Sequence, residues 1–284
     1  SDLTVKSYAS DLRDFELFFK GLDEQLDWTD VDLDIVRQWM ESMMDRGNKP
    51  SSVRRRLSSL RAFFRHALRR GWVATDPTRK VRPPKTDKPL PQFVKESEMD
   101  ALLDEKPVSD NFTDVRNYTV VALFYATGMR MAELIGLRDV DVDLTGRTLK
   151  VTGKRNKQRI IPFGDETARQ LQYYIGTREA NDIPHDATLF VEPDGRPLSR
   201  YRVGAIVRHE LSKVTTLKKR SPHVLRHTFA TSMLNHDASL EAVRKLLGHA
   251  SLATTEIYTH TTFEQLKQSY QKAHPRSKEE KAEE

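Results

Sequence analysis

His223-Val-Leu-Arg226 and Leu246-Leu-Gly-His249-Ala-Ser-Leu-Ala-Thr-Thr-Glu-Ile-Tyr258 fall in helical-looking segments near the end of a 284-residue chain. His223 and Arg226 stand at i, i+3 and so share one helix face, while Val224, Leu225 and Phe229 can anchor the rest of that helix in a core. An arginine can neutralise phosphate oxygens, a histidine can donate or move a proton, and a tyrosine can attack phosphorus. Cationic and proton-carrying groups near one phenol suit phosphodiester chemistry. Singly, each residue has a plainer reading. His227 and His260 read as structural or solvent-exposed, and Tyr173 and Tyr174 as packing.

Upstream, Ala126-Thr-Gly128-Met-Arg130-Met-Ala-Glu133-Leu134 puts an arginine just after a glycine break, at the end of an apolar helix over about residues 115–127. Glu133 is spaced to hold Arg130. Further on, Leu149 and Val151 alternate with Lys150 and Thr152, and Ile160-Ile161 follows a polar turn. That pattern predicts a β-hairpin with its tip at 153–158, where Gly153-Lys154-Arg-Asn-Lys157 supplies mobile lysines. Helices are expected over 96–104, 165–179, 201–214, 223–234 and 240–247, with a short one ending near Tyr258. Residues 273–284 are charged and are expected to be disordered.

The first third of the chain is also helical in pattern. Val5, Tyr8, Leu12, Phe15, Phe18 and Phe19 predict a helix over 4–19, and Ile35, Trp39 and Met43 one over 32–45. Pro50-Ser51-Ser52 opens a third, capped by Ser51 or Ser52 and stopped near Gly71. On it, Val53, Leu57, Leu60, Phe64 and Leu68 form a core stripe. Arg54, Ser58, Arg61, Arg65 and Arg69 form a second stripe about 100° away. No acidic i±4 partners accompany it, as a merely solvated face would have. Arg54, Arg55, Arg61, Arg65 and Arg69 are therefore candidate DNA-backbone contacts. Pro77, Pro83, Pro84, Pro89 and Pro91 mark a stiff linker over about 76–91, whose Arg79, Lys80 and Arg82 extend the basic surface. The domain boundary is expected near residue 85, giving 1–85 and 86–284.

Charge distribution supports a polyanion partner. Residues 1–45 hold 4 Lys/Arg and 12 Asp/Glu, net −8, whereas residues 46–88 hold 14 Lys/Arg and only Asp76 and Asp87, net +12. A basic block beside an acidic one points to an oriented nucleic-acid surface more than the overall +6 does. There is no cysteine, which excludes disulfides, thiol nucleophiles and cysteine metal sites. No apolar run of about 18 residues or signal peptide is visible, so a cytoplasmic, nucleoid-associated protein with no membrane partner is expected. The start at Ser1 instead of Met suggests a processed or trimmed end.

Order and spacing together resemble the tyrosine recombinases, of the Xer or simple integrase type. Ala126-Thr-Gly-Met-Arg130-Met-Ala-Glu133-Leu resembles their first arginine motif, and Lys154 their hairpin lysine. His223-Val-Leu-Arg226-His-Thr-Phe-Ala-Thr resembles their H-x-x-R box. His249 and Tyr258 match the third-position histidine and the nucleophile. The likeness spans nearly the whole chain. It departs at Asn235-His-Asp237, where the family often has a glycine to end the helix. The implied fold is mainly α: a SAM-like helical core-binding domain, then a mixed α/β, mostly helical catalytic domain with a small antiparallel sheet.

The resemblance also assigns roles. Tyr258 would attack the scissile phosphate to form a 3′-phosphotyrosyl link. Arg130 and Arg226 would clamp non-bridging oxygens, and Lys154, with Lys157 as rival, would protonate the leaving 5′ oxygen. His223 would transfer a proton, and His249 would hydrogen-bond the phosphate. No metal or cofactor is expected, since the chain lacks a clustered carboxylate set and a nucleotide-binding loop. The implied partners are a dif-like duplex site clasped between the two domains, a homo- or hetero-tetramer on two duplexes, a sister recombinase and a septal DNA translocase. A helix over about 262–272, carrying Phe263, Leu266 and Tyr270, is expected to dock in trans on a neighbour. The chain starts almost directly at the core-binding domain, which favours chromosome dimer resolution over an integrase with an added arm-binding domain. A mobile-element integrase or invertase, a type IB topoisomerase and a non-catalytic DNA-binding regulator stay open as alternatives.

Overall fold

The computed structural model describes residues 2–86, 92–107, 111–153, 156–248 and 260–277. Lys154, His249 and Tyr258 lie outside them, as does the short helix expected to end near Tyr258. The chain divides into two compact units, residues 1–90 and 91–284.

Among its described residues the first unit holds three helices: α1 (Asp2–Leu22), α2 (Leu33–Asp45) and α3 (Pro50–Arg70). Asp32 caps α2 by accepting from the backbone N–H groups of Asp34 and Ile35 at 2.9 and 2.8 Å, satisfying donors that a helix start leaves free. Neither expected serine caps α3. Lys49 is its N-cap, and Pro50, with φ already suited to the helix, opens it. Gly71 ends it at φ +72, a left-handed conformation that glycine adopts without steric cost. Phe15, Phe19, Trp39, Met43, Leu57, Leu60 and Phe64 form the core. Ala67, not Leu68, closes the buried stripe of α3, and Leu68 is exposed. The expected linker begins as part of this unit, because Thr78 and Val81 are buried against it.

The second unit is built around α5 (Phe112–Thr127), which is buried on nearly every side and packs against α7 (Asp165–Ala180), α8 (Arg200–Ser212) and α9 (Pro222–Asn235). Helix α4 (Glu96–Asp104) precedes it, and the one-turn α6 (Met131–Ile135) follows. Strands β1 (Val142–Asp143), β2 (Thr148–Thr152) and β3 (Gln158–Pro162) form an antiparallel sheet in that order, with Leu149 opposite Ile161 and Val151 opposite Arg159. Leu149 and Val151 point inward, as the alternation predicted, and Ile161 joins them from β3 while Ile160 faces out.

A separate apolar cluster joins α9, α10 (Leu240–Leu247) and α11 (His260–Ala273) through Phe229, Met233, Leu246, Leu266 and Tyr270. Within this single chain α11 packs its Leu266 and Tyr270 against α9 and α10; the expected docking on a neighbour concerns an assembly of several chains. The expected disordered tail is corrected. Ala273, His274 and Ser277 are buried, and Pro275–Ser277 forms a 3-10 turn. Arg276 fixes that turn with a fork to Glu166 at 2.6 and 2.8 Å and a bond to Asp104 at 2.8 Å. Residues 278–284 lie outside the description.

Candidate active site

Helix α5 ends at Gly128, whose φ of +57 turns the chain sharply. A Cβ there would lie 2.4 Å from Phe229, so glycine also lets α9 approach. Arg130 follows as the N-cap of α6. The Glu133 carboxylate accepts from the Arg130 backbone N–H at 2.7 Å and from its Nη1 at 3.1 Å. That double hold gives Arg130 a fixed origin while its side chain stays 39% exposed.

Arg226 reaches the same place from α9 and is only 8% exposed. Its Nη1 donates to the Gly128 carbonyl at 2.6 Å and its Nη2 to the Leu247 carbonyl at 2.7 Å. Burial, then the like charges of Arg130 and Arg159, push its pKa down to about 10, so it stays a cation at neutral pH. His223 lies one turn earlier on the same helix face and is exposed.

The sequence reading passed over Arg159. It is 9% exposed and forks onto Glu133, with Nη1 to Oε1 at 2.5 Å and Nη2 to Oε2 at 3.0 Å. Its Nε donates to the Leu246 carbonyl at 3.1 Å. A signal for it existed: on a strand whose Ile161 faces inward, Arg159 has the same parity and must face inward too, where a charge needs a partner. Burial pushes the Glu133 carboxyl up, but the Arg159 fork and then the Arg130 bonds outweigh it and hold the group below the ordinary carboxylate value.

Three successive carbonyls at the end of α10 therefore meet three guanidiniums: Leu246 meets Arg159, Leu247 meets Arg226, and Gly248 meets Arg130 at 3.1 Å. A helix leaves its last carbonyls unpaired and carries partial negative charge there. Among the described residues Glu133 is the only carboxylate in this hydrogen-bonded set, so its three arginines leave the set doubly positive. A tetrahedral anion with several acceptor oxygens is what such a set recognises. At the hairpin, Gly153 N–H donates to the Lys157 carbonyl at 2.7 Å. A Cβ on Gly153 would lie 3.3 Å from Glu133 Oε1, so the residue before Lys154 sits against the site.

Residues 92–265 match the Phage integrase family, and residues 1–71 match the phage integrase N-terminal SAM-like domain. The chain belongs to the phage integrase family. Tyrosine recombinase XerC of Chlorobaculum tepidum is 36% identical, covering 96% of this chain and 89% of that one. Tyrosine recombinase XerD of Staphylococcus haemolyticus is 35% identical, covering 98% and 94%. The likeness is thus to both Xer names alike, and this integrase-family chain is a tyrosine-type site-specific DNA recombinase. Its fold is that of the XerH recombinase bound to difH substrate (TM-score 0.71, 24% identity, 94% of this chain and 79% of that one). It is also that of the Tn1549 transposon integrase in complex with circular-intermediate DNA (TM-score 0.72, 19% identity, 88% and 87%).

In the recombinase's first unit the basic residues divide into two groups. Among the described residues, Arg55 differs from the others of the expected DNA-facing set in having an acidic partner: though its side chain is 51% exposed, it forks onto the buried Asp11 at 2.5 and 2.7 Å, an oxygen of which also accepts from Ser59 at 2.7 Å. Burial pushes Asp11 up, yet the Arg55 and Ser59 bonds bring it below its ordinary value. Arg61 Nη2 donates to the Val81 carbonyl at 2.6 Å, which fastens the following segment to α3. Arg54, Arg65, Arg69, Arg79, Lys80 and Arg82 are exposed, and among the described residues none has an acidic partner within 4.0 Å. Among the described residues, no helix is long and apolar enough to cross a membrane.

Proposed function

We propose that this recombinase cuts and rejoins duplex DNA at a dif-like site through Tyr258, and that it serves chromosome dimer resolution. The Tyr258 oxygen forms a bond to phosphorus, the P–O5′ bond breaks, and the 5′ oxygen takes a proton from Lys154. Arg130 and Arg226 clamp the non-bridging oxygens, His223 moves a proton, and His249 donates a hydrogen bond. The strand end is stored as a phosphotyrosine ester, so rejoining needs no outside energy source. Four protomers on two duplexes, a sister recombinase and a septal translocase complete the proposal.

One observation carries it. The two arginines spaced as phosphate clamps, from α9 and from the Gly128 turn, converge on consecutive carbonyls at the end of α10. The next residue is His249, and Tyr258 follows on the same segment. A nicked dif-like duplex, which traps the covalent intermediate, provides the test. Wild type should give an adduct that survives denaturation, and Tyr258→Phe should give none. Equal adduct from both proteins would remove Tyr258 as the nucleophile. Relaxation of a plasmid lacking any such site would favour a topoisomerase instead.

A further inference from the structure

We infer that Arg159 is a positioning residue: by tying Glu133 and the end of α10 to strand β3, it keeps Arg130 and Arg226 free to share one phosphate. This rests on the phosphodiester reading of the site.

Arg159 cannot itself be a DNA contact of any size, since its side chain is 8% exposed and that of Glu133 1%. It acts through what it holds. Both Glu133 oxygens are engaged by its fork. Remove the fork, and both turn to the other guanidinium in reach, that of Arg130 at i−3, already bonded at 3.1 Å. Arg130 would then be paired with a carboxylate it no longer shares, its charge cancelled and its fork turned away from substrate. A carboxylate and a phosphate compete for the same planar donor face.

The second hold is on α10. Arg159 Nε caps the Leu246 carbonyl, and its side chain lies under Gly248, where a Cβ would stand 3.1 Å from Cδ, Nε and Cζ. Gly248 is left-handed at φ +64. Its carbonyl faces Arg130, and that of Leu247 faces Arg226. Releasing Leu246 therefore loosens the two carbonyls that register the clamps against each other. The hairpin meets the same pair, with Gly153 against Glu133. Three segments far apart in sequence thus find their common reference in one buried ion pair.

The experiment compares Arg159→Gln, Glu133→Gln, the double variant and Arg159→Lys. Each is measured by single-turnover adduct formation on a nicked dif-like duplex that wild type cleaves. The same duplex is then made with a scissile methylphosphonate, in which a methyl group replaces one non-bridging oxygen and removes the charge. Arg159→Gln should slow the phosphate duplex about 100-fold, the scale of a small misplacement in a reacting geometry. The double variant should recover about 10-fold over Arg159→Gln, because the unanswered carboxylate is gone. On the methylphosphonate duplex the deficit of Arg159→Gln should shrink, since the clamps have less charge to neutralise. Arg159→Lys keeps the charge and should show the same pattern more mildly, which covers a glutamine variant that fails to fold. Equal losses on both duplexes with no recovery in the double variant would make Arg159 merely structural and overturn the inference. So would wild-type rates for Arg159→Gln. Failure of the phosphodiester reading looks different, because wild type would then give no lasting adduct on either duplex.

Discussion

Replacing Arg226 by glutamine separates what that residue does for the fold from what it does for the reaction. Its folded pKa is pushed down to about 10 by burial and by the neighbouring Arg130 and Arg159 charges. Remaining charged at neutral pH therefore costs the folded state about 3 kcal/mol. The sign follows from linkage. With the folded value below the unfolded one, the unfolded chain holds the proton more tightly, so the cost is full below pH 10 and is relieved only as pH rises above it. On the other side stand two short bonds to the Gly128 and Leu247 carbonyls. Leaving a buried acceptor unpaired costs about 1–3 kcal/mol, and a glutamine amide can still serve one of the two. The opposing effects nearly cancel, so the unfolding free energy of Arg226→Gln should fall within about 2 kcal/mol of wild type by urea titration. Covalent adduct formation should instead drop by about 100- to 1000-fold, the loss of one transition-state donor. A variant that loses stability and cleavage in proportion, or one that cleaves near the wild-type rate, would refute the reasoning.

On α3, Arg65→Ala should weaken duplex binding and reduce the slope of log affinity against log salt by about 1. Arg55→Ala should change that slope less and cost about 1–2 kcal/mol of stability, because Asp11 loses its charged fork but keeps Ser59 and the nearby Arg56; binding titrations at several salt concentrations and denaturant melts check both, and the reverse ranking would undo the assignment. Burial pushes the pKa of His274 from 6.5 down to about 4, so the fold holds it neutral, and stability should fall by about 3 kcal/mol as pH drops from 6.5 toward 4. His274→Asn should lose that share of the pH dependence in denaturation curves, and an unchanged pH profile would count against it.

Helices were legible wherever packing obeys the 3.6-residue period, and the core stripe of α3 shows where that period stops being enough. Leu57, Leu60 and Phe64 continue inward to either 67 or 68. The larger apolar residue, Leu68, suggests itself, yet Ala67 is buried and Leu68 is 43% exposed. The serines after Pro50 misled in the same way: a proline fits the first helical position, which moves the cap back to Lys49. Arg130, Glu133 and Arg226 were legible because they stand at i, i+3 spacings or beside a glycine break. The tail was not. Residues 273–277 read as a charged end, but Arg276 is answered by Glu166 and Asp104, and His274 by the Tyr125 carbonyl at 3.2 Å. Nothing in local sequence announces partners more than a hundred residues away. At the turn after α9, where related chains often place glycine, Asp237 adopts φ +62 itself, within what aspartate tolerates.

The converging carbonyls of α10 explain how so much like charge is held before DNA arrives. Three guanidiniums and one carboxylate would repel unless further negative charge were near, and a helix C-terminus supplies it without adding a competing anion. A carbonyl cap takes one donor and leaves the rest. Of the five N–H donors on a guanidinium, Arg226 spends one on Gly128 and one on Leu247, and Arg130 one on Glu133 and one on Gly248. Each keeps N–H groups for an incoming phosphate without letting go of the helix. Under the proposed function the two arginines are thus oriented in advance, which is where electrostatic catalysis gains most. The same bonds hold the residue immediately before His249. In the proposed reaction, the phosphate clamps and the start of the segment that carries Tyr258 would thereby be referred to one point, the end of α10.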